Sequence, residues 1–258
     1  MLAVVSPAKK LDFETDVPEM SVSQPAFLDD TEQLVDVARK KSRSDLMKLM
    51  GISENLADLN YQRFQHFSRP FNSTNAKPAI FAFRGDTYVG LDADTMKAED
   101  IDWAEDHFRM LSGLYGLLKP RDLMQPYRLE MGTRLSNPRG KDLYAFWDDK
   151  LSKEINEITK GHKDRSLINL ASNEYFKSIK TKVLDGPVIT PVFKEVKGGT
   201  AKVVGFSAKR ARGMMARYMI DNRLEDPQEL KKFNVDGYRY QDDLSTETEW
   251  VFTRIHDQ

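Results

Sequence analysis

A mixed α/β architecture is expected from this sequence, folded as a single compact domain over residues 1–258 with a mixed sheet flanked by helices. Three observations carry that expectation. Apolar residues recur at spacings of three and four in seven stretches, while six short runs rich in Val, Ile, Leu and Phe lie between them. Strand-like and helix-like stretches alternate through the middle of the chain, yet Lys197-Gly198-Gly199-Thr200 closes a hairpin that a purely doubly wound sheet would lack. The 258 residues, 40% of them hydrophobic, suffice for a sizeable core, and no repeat, low-complexity run or Pro/Gly/Ser-rich linker divides them.

In chain order, residues 2–5 read as a first strand running into Ser6-Pro7. Helical spacing follows over 27–41, 45–50 and 53–67, and residues 68–78 form a loop that offers the one joint between lobes. Residues 79–83 read as a strand and 97–112 as a helix. Residues 109–132 fit neither period. They carry Gly113, Gly116, Pro120 and Pro126 among many Leu, Met and Tyr, too many breakers for a core helix and too many apolar groups for a solvated loop. A buried or cleft-lining loop is expected, with Arg109, Arg121 and Arg128 either facing an anion or paired to internal carboxylates. A helix over 142–159, strands over 167–170, 188–193 and 201–206, helices over 207–223 and 227–233 and a strand over 249–254 complete the reading.

The net charge of -1 conceals a segregation. Residues 109–141 hold seven cations against Asp122 and Glu130, and residues 177–217 hold ten against Asp185 and Glu195. Such a dipolar surface steers polyanions unless the basic segments pack against acidic ones. Other chemistries lack their signatures. With no Cys there are no disulfides, thiolate metal sites or cysteine nucleophiles, and His66, His107, His162 and His256 form no metal-binding pattern. There is no Walker loop and no Gly-x-Gly-x-x-Gly, so no cofactor is expected. The opening residues lack a signal-peptide pattern and no apolar run nears the roughly 20 residues that span a bilayer, so a cytoplasmic protein off the membrane is expected, as a monomer.

Three constellations bear on chemistry. Residues 45–67 resemble a helix-hairpin-helix: Gly51 supplies the turn, Ile52 the apolar plug and Ala57 the close approach, and the second helix presents backbone amides to a nucleic-acid phosphate. Met50 stands where Pro is usual and Ser53 where a second Gly is usual, although Ser53 can cap the second helix; Lys48 lies beside the turn. In 206–220, Lys209, Arg210 and Arg212 form a cationic band on the first turns of a helix, where they oppose its dipole. The third constellation is a set of loops after strands, carrying Lys9, Asp86, Tyr88, Ser172, Glu174 and Tyr175. Strand ends in α/β sheets converge on sites, and together these side chains would supply acid, base and anion-binding groups; singly, each reads as a turn or cap residue.

Over essentially its whole length the chain resembles the YaaA family of bacterial peroxide-stress resistance proteins. The resemblance rests on Ser6-Pro7-Ala8-Lys9, Gly85-Asp86 with Tyr88 and Gly90-Leu91, residues 109–116 and 122–132, Gly140-Lys141-Asp142-Leu143-Tyr144, Asn169-Leu170-Ala171-Ser172, Glu174-Tyr175-Phe176-Lys177, and Lys209 with Ala211-Arg212-Gly213. Lys10 stands where Thr is usual and Asn173 where an acid is usual. The resemblance implies a cytoplasmic protein that limits peroxide damage to DNA and protein by lowering unincorporated iron. It also implies a mixed α/β fold with a basic cleft and a helix-hairpin-helix that binds double-stranded and branched or bubbled DNA. Of the matching positions only Gly51, Ile52 and Ser53 inherit a defined role; the rest are cleft candidates. The leading expectation is therefore DNA binding through 51–53, Lys48 and a cleft of Arg109, Arg121, Arg128, Lys209, Arg210 and Arg212. The alternative is an enzyme acting on a phosphorylated or nucleobase ligand in the polar pocket.

Overall fold

A computed structural model of the chain describes residues 1–255; His256 lies outside the described residues. Its centre is an eight-stranded sheet built from β1 (Leu2–Val5), β2 (Phe108–Ser112), β3 (Gly116–Leu118), β4 (Leu167–Leu170), β5 (Val188–Lys197), β6 (Thr200–Lys202), β7 (Arg239–Tyr240) and β8 (Glu249–Ile255). The order is β7-β8-β5-β4-β1-β2-β3, with β6 paired to β5. The inner pairs are parallel, Ala3 lying opposite both Phe108 and Ile168, whereas β3, β6 and β7 run antiparallel at the margins. Burial explains the inner sequences: every residue of β1, β2 and β4 is buried, the continuous run of a strand covered on both faces.

The principal helices are α1 (Leu28–Arg39), α2 (Arg43–Met50), α3 (Glu54–His66), α4 (Asp86–Leu91), α5 (Ala98–His107), α6 (Lys150–Thr159), α7 (Asn173–Phe176) and α8 (Gly205–Asp221). Local chemistry sets several boundaries. Ser42 and Asp45 form a reciprocal capping box at the start of α2, and Gly51 ends that helix in the left-handed region (φ 60°), where a side chain would be strained. Ser53 caps α3 by accepting from Leu56 N at 3.4 Å.

Four expectations are corrected. Residues 79–83 do not form a strand: Ala79–Ala82 is one helical turn, flanked by the two-residue strands Lys77–Pro78 and Phe83–Arg84. Periodicity cannot separate a short, wholly buried apolar run into helix or strand, and here Ala79 and Ile80 donate to Asp122 O and Pro120 O. The 97–112 helix stops at His107, and the next five residues become β2 because both flanks offer ladder partners. The 142–159 helix is two helices, Leu143–Trp147 and α6, broken at Asp148 (φ 41°). The strand over 201–206 ends at Lys202, and the remaining residues lead into α8 at Gly205.

Residues 109–132 thus contain two central-sheet strands and then a buried return. Tyr127 and Ser112 share a hydrogen bond of 2.6 Å, Tyr115 donates to Gln125 O at 3.1 Å, and Trp147 Nε1 donates to Gly113 O at 3.1 Å. The breakers permit close approach: a Cβ on Gly113 would stand 2.2 Å from Leu129 O. Another close approach fixes α4 against α8. A Cβ on Gly90 would lie 2.0 Å from Arg210 O, and one on Gly213 1.7 Å from Thr87 O, so the two backbones touch without side chains between them. No helix among the described residues is long and apolar enough to cross a membrane.

Candidate functional site

The chain leaves β1 for β2 on one side, then recrosses to place β4 on the other side of β1 before continuing outward to β5 and β8. This reversal makes a crevice beyond the carboxyl ends of β1 and β4, the place where open α/β sheets bind ligands. A cavity of about 420 Å³ opens there. Ser6 and Lys9 lie in the loop after β1 and Ser172 follows β4; Lys10 comes from a two-residue strand, Lys10–Leu11, paired with Phe83–Arg84, Asp86 and Tyr88 from α4, Glu174 and Tyr175 from α7, Lys209 and Arg212 from α8, and Glu130 from the buried return. All six pocket candidates named from sequence therefore line one cavity.

Hydrogen bonds fix its floor. Ser172 N donates to Ser6 Oγ at 2.9 Å, Ser6 Oγ donates to Ser172 Oγ at 3.3 Å, and Tyr88 donates to Ser6 O at 3.0 Å, joining α4 to the two strand ends. Tyr175 donates to Glu130 Oε2 at 3.2 Å, and Glu174 Oε1 accepts from Gly132 N at 2.9 Å, which clasps α7 to the return segment. Burial raises both phenols well above the usual tyrosine range, with Tyr127 adding to the effect; Glu130 also opposes ionisation of Tyr175. Both therefore keep their protons and serve as donors already committed to protein acceptors.

The cations differ. Arg84 is held by Asp12 at 3.2 Å and Asp94 at 2.9 Å. The side chains of Lys9, Lys10, Lys209 and Arg212 make no ion pair or hydrogen bond among the described residues, and burial alone depresses the Arg212 guanidinium with no carboxylate to offset it. A partly buried guanidinium without an acceptor is costly unless an anion completes it.

The remaining cationic candidates lie elsewhere. Arg109 is buried and donates to the carbonyls of Glu105 and Phe108 at 2.6 and 2.8 Å, facing no cleft. Arg121 is 2.6 Å from the exposed Asp102 carboxylate, and Arg109 bonds carbonyls rather than a carboxylate, so neither is paired to an internal carboxylate among the described residues. Arg128 is half-buried and lies close enough to Arg63 to depress that guanidinium further, after burial itself. Arg210 is exposed on α8, outside the cavity lining. Gly51, Ser53 and Lys48 are exposed at the α2–α3 turn, whereas Ile52 is half-buried against the core. Sequence reasoning did not single out Ser6, Lys10, Arg84 or Glu130 as cavity residues. The first three adjoin residues it named in the same loops, so adjacency was an available signal; Glu130 gave none beyond its place in the unusual 109–132 segment. Among the described residues no three His, Asp or Glu side chains cluster to hold a metal ion.

Comparison with known proteins adds one consistent result. The family described as Peroxide stress protein YaaA matches residues 1–244. A UPF0246 protein of Alteromonas mediterranea is 55% identical over 98% of this chain and 98% of its own length. UPF0246 proteins of Magnetococcus marinus and Teredinibacter turnerae are 56% and 53% identical, each over 98% of this chain and 99% of its own length.

Proposed function

This chain belongs to the peroxide stress protein YaaA family, and from that premise we propose that it acts in the peroxide response by binding a small anionic ligand in the cavity beyond β1 and β4, lowering free intracellular iron and so sparing DNA and protein. The observation that carries this reading is Arg212: half-buried, aimed at the cavity and without a carboxylate. The reading stops at binding. The Ser6–Ser172 hydroxyl pair touches no histidine or carboxylate among the described residues; Tyr175 does donate to the Glu130 carboxylate, but burial and that same carboxylate hold its proton in place.

Calorimetric titration of inorganic phosphate into the wild type and Arg212→Gln tests the site. Charge-assisted hydrogen bonds contribute about 1.5–3 kcal/mol each, so affinity falls about tenfold or more in the variant; equal affinities sink the assignment. In cells lacking the native gene, Arg212→Gln restores neither peroxide survival nor the low free-iron signal in electron paramagnetic resonance. Full rescue by the variant separates the cavity from the stress role.

A second reading, contact with double-stranded or bubbled DNA, is favoured by the exposed α2–α3 turn. The left-handed Gly51 exposes the start of α3, and Lys48 stands beside it. Glu54 in the first turn of α3 opposes a phosphate there. Gel-shift titration across salt concentrations checks this reading: Lys48→Ala weakens binding to all sequences and shallows the salt slope by about one unit. An unchanged slope removes the turn from the contact.

A further inference from the structure

The cavity carries unpaired charges of both signs, and that restricts what it holds. Asp86 lies on the same lining as Lys9, Lys209 and Arg212, yet no cavity carboxylate pairs with any of these cations among the described residues, and Asp86 makes no hydrogen bond through its side chain. Glu130 accepts one bond, from Tyr175, and retains acceptor capacity. Opposite charges share about 420 Å³ with no ion pair between Asp86 or Glu130 and Lys9, Lys209 or Arg212 among the described residues. A simple anion satisfies the cations and is repelled by the carboxylates; a simple cation does the reverse. Carboxylates accept and never donate, so their complement is a ligand end carrying O–H or N–H groups. The planar fork of Arg212, with ammonium groups available beside it, matches a phosphate, whose oxygens accept in pairs. The volume lies within the range of small-molecule sites.

Building on the anion-binding reading above, we propose that the cavity takes a phosphate monoester whose other end bears hydroxyl or amino groups, as a nucleoside or sugar monophosphate does. The phosphate lies on Arg212 and Lys209, and the donor-rich end on Asp86 and Glu130.

The test is calorimetry with inorganic phosphate, the four ribonucleoside 5′-monophosphates, ribose 5-phosphate and adenosine, against wild type, Arg212→Gln and Asp86→Asn, each variant first checked for native circular dichroism and melting. At least one monoester binds tenfold or more tightly than phosphate. Arg212→Gln weakens phosphate and that monoester alike, whereas Asp86→Asn weakens the monoester about tenfold and leaves phosphate within twofold. If phosphate binds and no monoester exceeds it, or if Asp86→Asn weakens both equally, the two-ended assignment is overturned while anion binding stands. If neither phosphate nor any monoester binds, anion binding falls with it. Should either variant misfold, Lys209→Gln, exposed on α8, replaces Arg212→Gln, and Asp86→Ser replaces Asp86→Asn with the same expected order.

Discussion

Gly213 is the position at which one methyl group should be felt both in stability and in the cavity. An alanine Cβ there would stand 1.7 Å from Thr87 O and 2.7 Å from Leu91 N, whereas ordinary contact begins at 3.4 Å. The obstructing atoms are backbone and cannot rotate aside, so α4 and α8 must separate by the difference, about 1.7 Å. Overpacking of this kind costs about 1–3 kcal/mol, and an unyielding neighbour places it near 3. Alanine regains about 1 kcal/mol over glycine inside a helix. The net loss is about 2 kcal/mol, which at about 2–4 °C per kcal/mol lowers Tm by about 4–8 °C. Because α4 carries Asp86 and α8 carries Lys209 and Arg212, the same displacement widens the cavity and weakens phosphate binding. Thermal melting and calorimetry of Gly213→Ala and Gly205→Ala form the assay. Gly205 opens the same helix with nothing within 4 Å of a Cβ, so its alanine variant melts at or slightly above the wild-type temperature. A Gly213→Ala protein that melts within about 1 °C of wild type, with unchanged binding, refutes the argument that the crossing fixes the cavity.

Burial pushes the Asp122 carboxyl up to about 6 from an ordinary 3.8, against the bonds it accepts from Lys119 N and Ser23 Oγ. A carboxyl raised on folding binds its proton more tightly in the native state, so its contribution to stability is lost as pH rises from about 4 through about 6, by about 3 kcal/mol at 1.36 kcal/mol per unit. Urea unfolding at pH 4.5 and 7.5 will show Asp122→Asn gaining on wild type at the higher pH; a pH-independent difference contradicts it. His162 is held down to about 4 by burial, then by the N-terminal ammonium and His107, on which it stacks at 4.5 Å. A depressed imidazole makes stability rise with pH between about 4 and 6.5, and its proton chemical shift will titrate near the lower value; a midpoint near 6.5 disproves the packing. Trp147 is fully buried and donates to Gly113 O, so Trp147→Phe orphans that carbonyl and costs about 1–3 kcal/mol in denaturant unfolding; a loss below about 0.5 kcal/mol rules this out.

The sequence disclosed the cavity more fully than the sheet. Lys9, Asp86, Ser172 and Glu174 were legible because polar residues that directly follow β1, Phe83–Arg84 and β4 fall at the ends of short apolar segments, and sheet topology gathers such ends. β2 was not legible, since Phe108, Met110 and Leu111 continue the apolar spacing of α5 with no Gly or Pro between them; only the presence of β1 and β3 on its flanks makes it a strand. Arg109 illustrates the limit for charges. Its residue type and basic neighbourhood match those of Arg212, but Arg109 is buried at the start of β2 and donates to two carbonyls, whereas the Arg212 side chain finds no acceptor among the described residues. Whether a cation has a partner depends on the fold its segment adopts, which residue type alone does not disclose.

The pairing of β1 has a consequence for synthesis. Its two neighbours begin at Phe108 and Leu167, so the most sheltered strand is made long before either of its flanks. At about 5–20 residues per second, about 10–30 s pass before both flanks exist. Throughout that time Leu2-Ala3-Val4-Val5 presents an apolar segment with two open hydrogen-bonding edges, the form that seeks wrong partners. Production of this protein should therefore be most vulnerable to aggregation before Leu167–Leu170 has been made.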